Sequence, residues 1–149
     1  MKSIAAALQH SRFQVALSAC AAELSDLRLR RFVFDYCEKY QEAYWFDQLT
    51  NAFAYLEITL RHDAELLADE LPLVRAQIEE AIGEYFESLN EVAMAIFRLI
   101  DEKPLTGSDV SEAITHVWCA HSCNELAEEF VEREDRILCE MISSLTCGD

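Results

Sequence analysis

Turn-forming residues are scarce in this chain, with three glycines and two prolines among 149 residues. That scarcity excludes β sandwiches and barrels, which need glycine- and proline-rich turns between many short strands. Disorder is excluded as well, because 52% of the residues are hydrophobic against 27% charged. Basic residues are also few: 12 Lys and Arg face 28 Asp and Glu, a net charge of -16. Such a chain repels nucleic acid and anionic lipid unless it carries a compensating basic patch. Arg28, Arg30 and Arg31 form the one basic cluster, but Asp26 and Asp35 interleave with them, so the group reads as a balanced helix face. No apolar run approaches the roughly 20 residues of a membrane span.

The N-terminal stretch carries Lys2, the apolar run Ile4 to Leu8, and Leu17-Ser18-Ala19-Cys20, which has the form of a bacterial lipoprotein cleavage site. His10, Ser11 and Arg12 interrupt it, leaving only Phe13 to Ala19 as a membrane-entering core, at the bottom of the usual range of about 7 to 15 residues. The segment therefore reads as part of the folded domain. Six cysteines do not imply a disulfide framework, which belongs to chains too small to build a core. At this length one domain buries roughly 70% of the surface of its unfolded chain. Reduced thiols and a cytoplasmic location are the expectation.

Catalytic signatures are missing too. No Glu-x-x-His pair, glycine-rich phosphate loop or serine elbow occurs, so no catalytic residue, no cofactor and no enzymatic activity are expected. His116, Cys119 and Cys123 share one helix face, but positions 116 and 123 lie about 10 Å apart along a helix axis. A zinc ion with ligand bonds of about 2.0 to 2.3 Å cannot span that distance. Cys119 with Cys123 could share a metal only with ligands from Cys20, Cys37, His10 or His62. The same face continues through Leu126, Phe130, Ile137, Met141 and Leu145, which makes the two cysteines core thiols. No metal site is assigned, and a helical thiol or metal-binding protein using Cys119 and Cys123 stands as an alternative.

What is present is helical periodicity. One amphipathic stretch runs from Ser3 to Leu24; a second, capped by Ser25 or Asp26, reaches about Tyr44; a third starts at Asp47 and stops before Pro72. Beyond Pro72 a seam of Ile78, Ile82, Tyr85, Leu89, Val92, Ile96 and Leu99 predicts one long helix needing a partner surface of about 30 Å. Lys103 to Ser108 forms a loop, after which Thr106 with Asp109, or Asp109 with Glu112, can make a capping box. Residues 109 to 146 form one helix, or two with a break near His121 to Asn124. The fold class is all-α: residues 1 to 149 form a single acidic domain, an antiparallel helical bundle of about five helices.

Charge and aromatics are unevenly spread. Residues 1 to 50 carry six basic and six acidic side chains, and residues 51 to 149 carry six and 22. Ten of the 15 aromatic residues fall in the first 55 positions. Tyr36, Tyr40, Tyr44 and Trp45 either fill the core or form a contact for a homodimer or a partner. Glu80, Glu84, Glu87 and Glu91 each follow a seam residue by two positions and form an acidic row opposite the buried stripe. Asp63, Glu65, Asp69 and Glu70 extend it, whereas Glu129 and Glu132 have Arg133 and Arg136 four residues on. In size and composition the chain is similar to small acidic antagonists: nucleic-acid mimics, phage anti-defence proteins including anti-CRISPRs, and bacteriocin immunity proteins. That likeness implies a non-enzymatic antagonist that inhibits a basic, nucleic-acid-handling partner through the acidic row. A structural adaptor binding through the aromatic N-terminal third is the other alternative.

Overall fold

Ser3 opens the first helix by accepting the Ala6 amide on its hydroxyl at 3.2 Å, the ordinary action of a serine placed before an apolar run. In the computed structural model, residues 2–39, 47–61, 71–84, 87–100, 103–121 and 125–147 are described. Helix α1 spans Ile4–Gln9 and α2 spans Arg12–Cys20, followed by a single 3-10 turn, Ala21–Glu23. The expected continuous helix from Ser3 to Leu24 is therefore broken at Ser11. Its hydroxyl donates to the Leu8 carbonyl at 2.8 Å, and its backbone is extended, so the side chain competes with the helix for a carbonyl. Asp135, far along the chain, then caps α2 by accepting the Arg12 and Phe13 amides at 2.9 and 2.8 Å.

Helix α3 spans Asp26–Lys39 and is capped as expected, with the Ser25 hydroxyl accepting the Arg28 amide at 3.2 Å. It occupies the centre of the fold and packs against α4, Asp47–Arg61; α6, Glu87–Leu99; α7, Gly107–His121; and α8, Glu128–Cys147. The chain between Leu71 and Leu99 corrects the expectation of one long helix. It forms α5, Leu71–Glu84, and α6, which lie against each other. Gly83 sits in the last turn of α5, where a residue without Cβ weakens the helix. Folding the seam back on itself supplies the helical partner that a long exposed seam lacks, and Ile78, Ile96 and Leu99 are all buried.

The open question over residues 109 to 146 is resolved as two helices, α7 and α8. Between them Glu125–Leu126 pairs antiparallel with Lys2–Ser3, Lys2 opposite Leu126 and Ser3 opposite Glu125. This two-residue ladder ties the N-terminus to the connection without altering the all-α class. Eight α-helices among the described residues replace the expected five because the stretch from Ser3 to Leu24, the seam after Pro72 and residues 109 to 146 each form two.

Helix α7 begins with the predicted capping box. The Thr106 amide donates to Asp109 Oδ2 at 2.9 Å, and the Asp109 amide donates to the Thr106 hydroxyl at 3.3 Å. The Thr106 amide, and then Arg98 and the Thr106 hydroxyl, hold the Asp109 carboxyl below its ordinary value of 3.8, outweighing the opposing effect of burial. A lowered folded pKa stabilises the fold fully above the ordinary value, and the contribution is lost as pH falls through the folded one. Asp109→Ala should cost about 1 kcal/mol at neutral pH. Urea titrations across pH should show the difference from wild type vanishing in acid.

Candidate functional site

The arginines decide the electrostatics of the surface. Arg28 donates to the Leu145 carbonyl at 3.1 Å, Arg30 to Leu99 at 2.5 Å and Lys103 at 2.6 Å, and Arg31 to Leu60. These carbonyls lie in or beside the last turns of α8, α6 and α4, whose terminal C=O groups lack partners within the helix and carry the negative end of its dipole. One cluster on α3 thus caps three other helices. The basic cluster is an internal fastening device. Asp26 completes the joint, accepting from Arg30 at 2.7 Å and from the Leu105 amide at 2.6 Å. Arg98 is held likewise by the carbonyls of Lys103 and Pro104 and by Asp109.

A second polar joint lies inside the bundle. The Trp118 indole N–H donates to the Tyr36 hydroxyl at 2.8 Å, and that hydroxyl donates to Glu134 Oε1 at 2.9 Å. Glu134 is 0% exposed, and it also accepts from Lys39 at 3.1 and 3.2 Å and from Arg133 at 3.1 Å. A buried carboxylate is tolerable only with such partners. Periodicity could not mark Glu134, because its neighbours Glu132, Arg133, Asp135 and Arg136 make the segment read as a solvated face.

Six cations, Arg28, Arg30, Arg31, Lys39, Arg98 and Arg133, therefore have acceptors inside the fold. The carboxylates point outward in larger numbers. Glu79 and Glu80 on α5 are exposed, as are Glu125, Glu128, Glu129 and Glu132 around the start of α8. Helical spacing pairs Arg133 with Glu129 and so hides the α8 group, whereas Arg133 turns to Glu134. Carboxylates at a helix N-terminus are also favoured by its dipole, so this group costs α8 little.

The predicted row is dispersed by the break between α5 and α6. Glu80 is exposed on α5; Glu84 ends that helix and Glu87 begins the next. Glu91 is not an exposed member: it is partly buried and bonded to His116 Nδ1. Asp63, Glu65, Asp69 and Glu70 lie outside the described residues. Of the aromatic group, Tyr36 is 1% exposed and belongs to the core rather than to a contact surface. Tyr40, Tyr44 and Trp45 lie outside the described residues.

Cys20, Cys37, Cys119 and Cys139 are thiols outside any disulfide. Burial pushes the Cys37 thiol up to about 12, and it raises Cys20 and Cys139 too, with Glu23 and Asp135 adding to it. Raised thiols are poor nucleophiles. Cys119 is half-buried on α7, and Cys123 lies outside the described residues. Among the described residues no three His, Cys, Asp or Glu side chains converge to hold a metal. Within the same residues no helix is long and apolar enough to cross a membrane. No family model, curated protein or solved structure matches the chain. Its function is therefore read from its own surface and chemistry.

Proposed function

We propose that this chain is a non-enzymatic antagonist that binds a basic, nucleic-acid-handling protein and occupies the surface on which that partner holds nucleic acid. The observation that supports this reading is the division of charge. Half of the chain's cations fasten helices together or neutralise the buried Glu134, and exposed carboxylates on α5 and at the start of α8 dominate the exterior. A surplus of 16 negative charges repels itself, so a cationic partner that relieves it gains affinity and a fast, salt-sensitive association. The protein acts as an inhibitor in the cytoplasm, where its thiols stay reduced, and needs no cofactor.

The test is capture of partners on the immobilised chain at low salt, elution in a salt gradient, and identification by mass spectrometry. The expected partner is a basic nucleic-acid-binding protein released at moderate salt, whose capture is prevented by adding duplex DNA or RNA. A chain carrying Glu79→Lys, Glu80→Lys, Glu84→Lys and Glu87→Lys should lose about a hundredfold in affinity, some 3 kcal/mol, with helicity unchanged by circular dichroism. A partner that resists salt and is indifferent to nucleic acid would sink the proposal.

A further inference from the structure

Between the start of α2 and the middle of α8 lies a cleft of about 470 Å³ whose walls carry both signs of charge. Arg12 lines it from α2, and Glu132, Asp135, Arg136, Cys139 and Glu140 line it from α8. Asp135 is already occupied. It accepts the Arg12 and Phe13 amides and, at 3.8 Å, the Cys139 thiol. The Arg12 and Arg136 side chains are exposed, and among the described residues no acceptor is bonded to either guanidinium.

Two open guanidiniums in one cleft stand out in a chain with 28 carboxylates. Glu132 and Glu140 lie four residues to either side of Arg136, at the spacing of a helical ion pair, yet neither pairs with it. By contrast, Arg28, Arg30, Arg31, Arg98 and Arg133 all find acceptors within the fold. The cleft therefore presents unused donors beside unused carboxylates.

The charge of the whole molecule selects among the ligands these groups could hold. A simple anion reaches the arginines only against a net charge of -16 and two adjacent carboxylates, and a simple cation leaves the arginines unserved. A zwitterion serves both. Side chains one helical turn apart are separated by about 5 to 6 Å, whereas a single amino acid spans at most about 3.6 Å of chain. Two residues span up to about 7 Å.

We infer that this cleft binds the two termini of a zwitterion the size of a dipeptide. Its carboxylate lies between the guanidiniums of Arg12 and Arg136, whose forked N–H groups suit carboxylate oxygens. Its ammonium lies one turn away, against Glu132 or Glu140. The inference stands apart from the antagonist reading, because neither arginine belongs to the surface assigned to the basic partner.

The probe is alanylalanine, titrated into the isotope-labelled full chain at about pH 6.5, where both of its termini are charged, and followed by amide chemical shifts. Saturable shifts are expected at Arg12, Phe13, Arg136 and Cys139, with a dissociation constant below about 1 mM. Acetylating the N-terminus of the peptide, or amidating its C-terminus, should weaken binding about tenfold. Arg136→Gln should weaken it about fivefold, while Lys103→Gln, the same charge change in the loop before α7, should alter it less than about twofold. Equal losses from the two variants would overturn the site. An acetylated peptide that binds as tightly as its parent would reveal a plain anion site, and an amidated one that does so a plain cation site; either result overturns the zwitterion. No saturable shift up to about 10 mM peptide would overturn the inference outright and leave the antagonist reading untouched.

Discussion

Trp118→Ala should destabilise the protein by about 3 to 5 kcal/mol, the cost of removing a large aromatic side chain from a core that relaxes only in part. Trp118 is fully buried where four helices meet. Its ring stands edge-on to Phe13 of α2 at 5.7 Å and to Phe130 of α8 at 6.2 Å. Its N–H reaches Tyr36 of α3, which holds Glu134 of α8. Alanine therefore leaves a cavity and removes the donor that orients the Tyr36 hydroxyl. For a chain of this size the loss corresponds to a fall in melting temperature of about 10 °C or more. Trp118→Phe separates the two effects, because it keeps most of the volume and loses the N–H, at about 1 to 2 kcal/mol. Urea unfolding followed by far-ultraviolet circular dichroism measures both. A loss below about 1 kcal/mol for alanine would show that this junction does not hold the bundle together.

The second large effect is expected at Arg30. Its replacement by alanine strips the donor from the buried Leu99 carbonyl, one of two donors from Lys103, and the cationic partner from Asp26. A buried group left without a partner costs about 1 to 3 kcal/mol, and the lost bond to Asp26 adds to it, so about 2 to 4 kcal/mol is the expected total. Arg30→Lys keeps the charge but cannot span three acceptors, and should recover less than half of the loss. Amide exchange gives an independent reading. The Leu105 N–H, which donates to Asp26, should exchange faster in Arg30→Ala because Asp26 is no longer fixed from α3. Unchanged exchange at Leu105 would contradict the three-way joint between α3, the end of α6 and the loop before α7.

These two sites differ in how far they could be read from the amino-acid sequence. Trp118 carries a large apolar ring, buried with Ile114 and Val117, although the face that the sequence reading takes as buried on this helix runs through Cys119 and Cys123. Arg30 carries no such mark. Its neighbours Arg28 and Arg31 and the nearby Asp26 and Asp35 look like a balanced, solvated helix face, and the carbonyls that engage these arginines lie from 29 to 117 residues away. Glu91 departs from its expected exposed position for a related reason. Spacing places it opposite the buried stripe of its own helix, and only the approach of α7 brings His116 against it. Glu134, Tyr36 and Asp135 repeat the pattern, each defined by a partner on a distant helix.

Local chemistry was legible where both partners are close in sequence. Ser25 caps α3, Thr106 and Asp109 form their box, and the loop after Lys103 lies where proline and glycine put it. By itself the sequence determined the all-α class, the local caps and the acidic excess, because periodicity, capping and charge are properties of neighbouring residues. The tertiary structure alone decided where the helices break and which charged groups remain on the surface. Those outcomes depend on which distant carbonyl, amide or carboxylate each side chain meets, and that is set only when the helices pack.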